Sequence, residues 1–293
     1  MHTVKFHRFQ NGMRVVTVSR PHLHSAAVRV TLPTGSAHDP PRLSGVAHFF
    51  EHIVFRGTER RPYGADDVLG RLSADANAET GRHHTTFRAT CSARNVAATA
   101  EVFHDCLTGP TFQAIDGERE VIRSEILGHE RHGGLSMDSG DIAHRLALGA
   151  AHPAAREGTG DDESVRRIAA THLRVHARKS VHAGGRVVLA GPLPHEELLA
   201  AAKPFAMLPP PVPCHVRPPS RTRAGVEFAD GPGSEVTIVV SRVGCGRDDP
   251  RSAASGWLDW ILCSGMRSRL YAKLRVELGV AYGARHYADT NPK

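Results

Sequence analysis

The sequence predicts an α+β fold divided into two domains, and three observations carry that expectation. A chain of 293 residues is long for one hydrophobic core, and chains of that size tend to split into units of ordinary domain length. Over roughly its first two thirds, short β-branched segments bounded by turn residues alternate with longer segments of helical period. Prolines then crowd together as Leu208-Pro209-Pro210-Pro211-Val212-Pro213 and again at Pro218-Pro219, a composition that supports neither a helix interior nor a central strand. The expected organisation is a first domain over 1–208, a linker over 209–224 and a second domain over 225–293.

The elements follow in order. Lys5 to Gln10 and Met13 to Val18 flank the pair Asn11-Gly12 and read as a hairpin, because Asn-Gly supplies the positive φ angles of a tight two-residue turn. A third strand is expected at Ala26 to Leu32. After the Pro40-Pro41 break, Gly45 to Arg56 carries Val46, Ala47, Phe49, Phe50, Ile53 and Val54, dense enough for a largely buried helix. Helices are expected near Ala65–Ser73, Val96–Leu107, Gly117–Arg131, Gly140–Leu148, Glu163–Ala177 and Pro194–Pro204, with strands near Ala78, at Phe87–Cys91 and at Arg186–Gly191. Beyond the linker, Gly225–Phe228, Val236–Val240 and Val280–Tyr287 read as strands and Ala253–Arg275 as helices.

Composition removes several classes. No apolar run approaches the roughly 18–20 residues of a membrane helix, so no membrane partner is expected. The formal charge of +7 comes from arginines scattered along the chain, and with only 5% aromatic residues there is no basic stripe with interleaved stacking groups, so no nucleic-acid partner is expected. The field of that charge biases substrate choice toward neutral or acidic peptides. The five cysteines are scattered without a C-x-x-C spacing, which points to reduced packing residues. The first residues lack the apolar stretch of a secretory signal, so the expected location is cytoplasmic.

The most informative residues lie on the buried helix. His48-Phe49-Phe50-Glu51-His52 places two imidazoles at i and i+4 and a carboxylate at i+3. At about 100° per residue, His52 lies about 40° and Glu51 about −60° from His48, so all three project from one side. Two such histidines can bind one Zn²⁺ per chain, and the carboxylate beside them can serve as general base on a water without being a ligand. A third ligand is expected from the segment Glu118 to Glu125. Glu118 and Glu125, seven positions apart, share a helix face with Val121 and Ile122. Glu125 is the candidate ligand, Glu118 the candidate acceptor that orients a ligating imidazole, and His129 the alternative ligand.

Taken together, Gly45 to Thr58 and the downstream Glu118 to Glu125 resemble the inverted-motif zinc peptidases, the family of pitrilysin, insulin-degrading enzyme and the mitochondrial processing peptidase. The resemblance implies two homologous α/β-sandwich domains facing one another around a chamber, the second incomplete here because the chain stops at Lys293. By the same resemblance Asn77, Ala78, Glu79 and Thr80 form the strand on which an extended substrate is laid, and Arg275 and Tyr282 contact substrate or the tetrahedral intermediate. The implied function is zinc-dependent hydrolysis of peptides or small proteins, with association into a homodimer or with a related chain. The alternative is a non-catalytic partner or scaffold subunit, against which the intact His48, Glu51, His52 and Glu125 stand.

Overall fold

The computed structural model describes residues 3–128, 131, 132, 135–212, 214, 216 and 236–284. The first domain is one six-stranded sheet with helices packed on one face. The chain opens with β1 (Thr3–Arg8), β2 (Arg14–Ser19) and β3 (Ser25–Leu32), followed by helices α1 (Val46–Ile53) and α2 (Ala65–Arg71). Strands β4 (Asp75–Thr80) and β5 (Thr85–Ser92) come next, then α3 (Val96–Thr108) and α4 (Ile115–Gly128). A two-residue ladder pairs β6 (Arg131–His132) with β7 (Leu135–Ser136). Helices α5 (Ser139–Leu148), α6 (Asp162–Arg167) and α7 (Ala170–His182) lead to β8 (Arg186–Gly191) and α8 (His195–Ala201).

The sheet order is β1-β2-β8-β3-β5-β4. The late strand β8 inserts between β2, to which it is parallel, and β3, to which it is antiparallel. Each central strand alternates, and the inward residues Val15, Val28, Val30, Leu32, Phe87, Val187 and Leu189 are buried beneath the helices. Strand β4 closes one edge, with its outer side unpaired among the described residues. The helix expected over Glu163–Ala177 is two, α6 and α7, separated at Ile168-Ala169. Asp161 caps the first of them, its carboxylate accepting from the Ser164 backbone and hydroxyl.

Helix α1 is held from three directions. Its buried side, Val46, Phe49, Phe50 and Ile53, packs against α4 and α7, with the Arg119 guanidinium 5.6 Å from the Phe49 ring and the His176 ring 5.3 Å from that of Phe50. Each such fully buried side chain contributes roughly 1.5–3 kcal/mol. At its start Gly45 has φ +89°, and a Cβ there would lie 2.5 Å from the Thr159 carbonyl oxygen, so the loop before α6 presses directly on the helix N-terminus. The buried Asp39 carboxylate accepts from the backbone N–H groups of Gly45 and Ala47 at 2.8 and 3.3 Å, satisfying donors that the helix leaves open.

Asp39 and His176 therefore brace the same helix, and burial pushes their titrations in opposite directions. Burial raises Asp39 from 3.8 to about 7, against its backbone hydrogen bonds and the nearby Arg156 and Lys179. Burial, helped by Lys179 and His38, lowers His176 from 6.5 to about 3. Between about pH 3 and 6.5 the unfolded chain binds the histidine proton and the native one does not, so this group makes stability fall as pH drops. Between about pH 4 and 7 the native aspartic acid holds a proton that the unfolded one releases, so this group makes stability fall as pH rises. The two slopes oppose each other near pH 5. We expect His176→Gln to leave a profile that gains stability steadily as pH falls from 7 to 4. Asp39→Asn should give the reverse slope, each by on the order of 4 kcal/mol across its window. Denaturant unfolding at half-unit pH steps measures this, and parallel profiles for the two variants would refute it.

Past residue 208, residues 209–212, 214 and 216 are irregular. The strand expected at Gly225–Phe228 lies outside the described residues. Val236–Val240 is not a strand: Val236, Ile238 and Val240 are 82–92% exposed, and no neighbouring strand pairs with them among the described residues. Residues 280–284, the described part of the other expected strand, are irregular for the same reason. The helical expectation holds as α9 (Ser252–Cys263), the short α10 (Arg269–Tyr271) and a π-helical turn over Ala272–Glu277. No helix among the described residues is long and apolar enough to cross a membrane, and all five cysteines are free.

Candidate metal centre

Because Phe49, Phe50 and Ile53 turn inward, His48, Glu51 and His52 are forced onto the opposite side of α1. The two imidazoles stand 4.6 Å apart, centroid to centroid. Helix α4, whose Glu118 is 66 residues beyond His52, packs across α1 and delivers two carboxylates to them. Glu125 Oε2 lies 3.8 Å from His48 Nε2 and 3.7 Å from His52 Nε2. His48, His52 and Glu125 each offer one donor atom within 4.8 Å of the others and could hold a metal ion. The alternative ligand His129 lies outside the described residues.

Glu118 occupies a different place. It is 6% exposed, and its Oε2 sits 3.2 Å from His52 Nδ1, so the Nδ1–H donates to the carboxylate and Nε2 turns toward Glu125. Its other oxygen accepts from Arg56 Nε at 2.6 Å, and Arg56 also reaches Asp66 at 3.3 Å. Ile122 shares this buried face, whereas Val121, expected there too, is 44% exposed.

Glu51 lines a cavity of about 650 Å³ together with His48, Ala78, Glu79, Thr80 and Arg82. Burial raises its carboxyl above the ordinary range, the Thr80 hydroxyl and His52 pull it down, and Glu125 and Glu79 add to the rise. Asn77, Ala78, Glu79 and Thr80 all lie on the edge strand β4, and the last three border the cavity. Arg82 closes the far wall, donating to Asp141 at 2.7 Å and to the Ala154 carbonyl at 2.9 Å.

Arg275 and Tyr282 are not brought to this cavity. They engage each other: Arg275 Nη1 donates to the Tyr282 carbonyl at 2.7 Å, and its guanidinium lies 4.2 Å from the Tyr282 ring centroid. Tyr282 is 87% exposed.

Four supporting residues carry roles that the sequence did not suggest. Arg56 sits one helical turn beyond His52, so spacing alone could have offered it as a partner for an outer carboxylate. Asp39 and the Arg82–Asp141 pair carried no such signal, because their partners are set by loop paths.

Residues 14–132 match the family model of the insulinases, peptidase family M16, and residues 186–292 match that of the M16 inactive domain. An uncharacterised zinc protease of Streptomyces coelicolor is 28% identical over 98% of this chain and 65% of its own length. A probable mitochondrial-processing peptidase subunit beta of Arabidopsis thaliana is 32% identical over 66% of this chain and 36% of its own length. The chain thus spans less than two thirds of the length of these relatives. The crystal structure of an M16 inactive-domain protein from Pseudomonas fluorescens superposes with a TM-score of 0.81 at 21% identity, covering 96% of this chain and 69% of that one, and shares the fold. These relatives overturn the cytoplasmic location expected from the N-terminal residues, since the processing-peptidase relatives are named as mitochondrial. With two α/β domains of this type matched in order along its length, the chain belongs to the M16 family of zinc metallopeptidases, that of insulinase, pitrilysin and the processing peptidases.

Proposed function

We propose that the chain acts as a zinc-dependent peptidase, holding one Zn²⁺ on His48, His52 and Glu125. The observation that carries this reading is the convergence of three donors beside an acid that is not one of them, with that acid and His48 lining a cavity bordered by the edge strand β4. Tetrahedral donors at about 2.0–2.1 Å from zinc lie about 3.4 Å apart. The 3.7–3.8 Å separations to Glu125 need only a few tenths of an ångström of closure, and the donor set leaves a fourth position open, as catalytic sites do. Zinc bound there would supply Lewis-acid polarisation of a carbonyl and lower the pKa of water.

The residues of the chain divide the remaining work. Glu51 takes the proton from the attacking water and returns it to the leaving amine, and its half-buried setting favours that exchange. Glu118, clamped by Arg56, fixes the tautomer and angle of His52. Asn77 to Thr80 pair an extended peptide by adding it to the open side of β4, which sets the scissile bond beside His48 and Glu51. In the same reading Arg275 and Tyr282 stabilise the developing oxyanion once the second domain closes over the first. The functional units are 1–208, which carries the centre, the linker 209–224, and 225–293.

Metal analysis paired with cleavage of a quenched fluorescent peptide library tests the proposal. One equivalent of zinc, cleavage abolished by a chelator and activity restored by zinc are expected. Zinc binding without cleavage of any peptide would support the scaffold alternative, and chelator-insensitive cleavage would remove the metal from the mechanism.

A further inference from the structure

The solvent-facing side of the sheet carries an ordered array of charge that the metal centre does not use. Following the strand register from edge to edge, Arg8 opposes Arg14, Arg14 opposes Arg186, Arg186 opposes Thr31, Thr31 opposes Thr86, and Thr86 opposes Glu79. Residues in register on neighbouring strands point to the same face, so these six form one row across the sheet, open to solvent at Arg8, Arg14, Arg186 and Glu79 and buried at Thr86. The row ends at Glu79, which borders the catalytic cavity. In the adjacent row Arg29 opposes Arg88.

All five arginines are exposed, and none makes a salt bridge among the described residues. Like charges directly opposite on neighbouring strands destabilise a sheet, so packing gives no reason to line up three of them. A small depression of about 260 Å³ lies between Arg8, Arg14 and the Gly184-Gly185 turn, large enough for a carboxylate side chain.

We propose that this arginine row is an exosite for an acidic segment of the polypeptide substrate, lying distal to the bond cleaved at the β4 edge. The three arginines, on adjacent strands about 4.8 Å apart, span roughly 10 Å, the reach of about three extended residues, and the threonines and Glu79 carry the row on to a total of roughly 24 Å at the cavity. The occupant is a polypeptide rather than a nucleic acid, because among the described residues the face offers Phe6 as its one strongly exposed aromatic ring and base-binding grooves need a succession of stacking platforms. The path to the cavity rests on the peptidase reading, while the binding of acidic chain does not.

Two measurements separate these. In the presence of chelator, a labelled eight-residue Glu/Ser peptide should bind the wild type with salt-sensitive affinity, followed by fluorescence anisotropy. The variant Arg8→Glu/Arg14→Glu/Arg186→Glu should lose about ten- to a hundredfold, the sum of a few exposed ion pairs, and the corresponding triple Gln variant should fall between. With zinc, appending the same acidic segment to a cleavable peptide should lower KM by a similar factor in the wild type alone. Cleavage of the unextended peptide should be unchanged in all three proteins. Equal binding by wild type and charge-reversed protein overturns the exosite, as does equal binding of an uncharged Gln/Ser peptide or preferential binding of a single-stranded oligonucleotide. Selective binding without cleavage of any peptide keeps the exosite and removes the peptidase reading instead.

Discussion

Glu51→Gln is expected to bind zinc as the wild type does and to lose peptide hydrolysis by about a hundred- to ten-thousandfold, the range for removing a positioned general base. The amide keeps the length and shape of the side chain, so the buried packing of Phe49, Phe50 and Ile53 that orients α1 is undisturbed. Glu51 is outside the converging donor set, which is why metal content should not change. The readouts are metal stoichiometry and the single-turnover rate on a peptide cleaved by the wild type. Near-normal turnover in this variant would show that another group takes the proton; loss of zinc together with activity would show that Glu51 holds the metal.

Glu125→Ala and Glu118→Ala should differ in severity, and the order is the test. Glu125 sits 3.7–3.8 Å from both imidazole Nε2 atoms, in the position of a ligand. The apparent binding energy of structural zinc sites, roughly 10–16 kcal/mol over four ligands, corresponds to about 2.5–4 kcal/mol each. Its removal should therefore weaken zinc binding on the order of several hundredfold. Glu118 touches only His52 Nδ1 and Arg56, so its loss should cost about 10- to 100-fold in affinity, as outer partners of ligating histidines do. Zinc competition against a chromophoric chelator ranks the two, and a larger effect from Glu118 would exchange their roles.

Sequence reading succeeded where the deciding interactions are local. The 100° step of a helix puts His48, Glu51 and His52 on one side whatever surrounds them, and the spacing of seven puts Glu118 and Glu125 on one face of α4. The hairpin of β1 and β2 is local too, but not through the tight two-residue turn expected: positive φ falls on Gly12 alone, and the Gly12 N–H donates to the Phe9 carbonyl within a five-residue connection. The same logic failed for Val236–Val240, whose apolar alternation suits a strand but has no ladder partner among the described residues. A strand is a property of two segments, and pattern in one of them is insufficient.

The sequence by itself determined the three residues on α1, the pair of glutamates on α4 and the alternation of strands and helices, because each follows from backbone periodicity within about two turns or one strand. Only the tertiary structure decided that α4 lies across α1, so that Glu125 approaches both histidines while Glu118 stops at the far nitrogen of one. It alone placed Asp39 at the start of α1, the Thr159-Gly160 loop against Gly45, and β8 between β2 and β3. Apart from that of Asp39, six positions from Gly45 and set by the path of the intervening loop, those contacts join residues tens to more than a hundred positions apart, and their geometry depends on how whole layers pack. The row from Arg8 to Glu79 shows this most directly: its members come from all six strands, and nothing in their sequence separation reveals that they stand side by side.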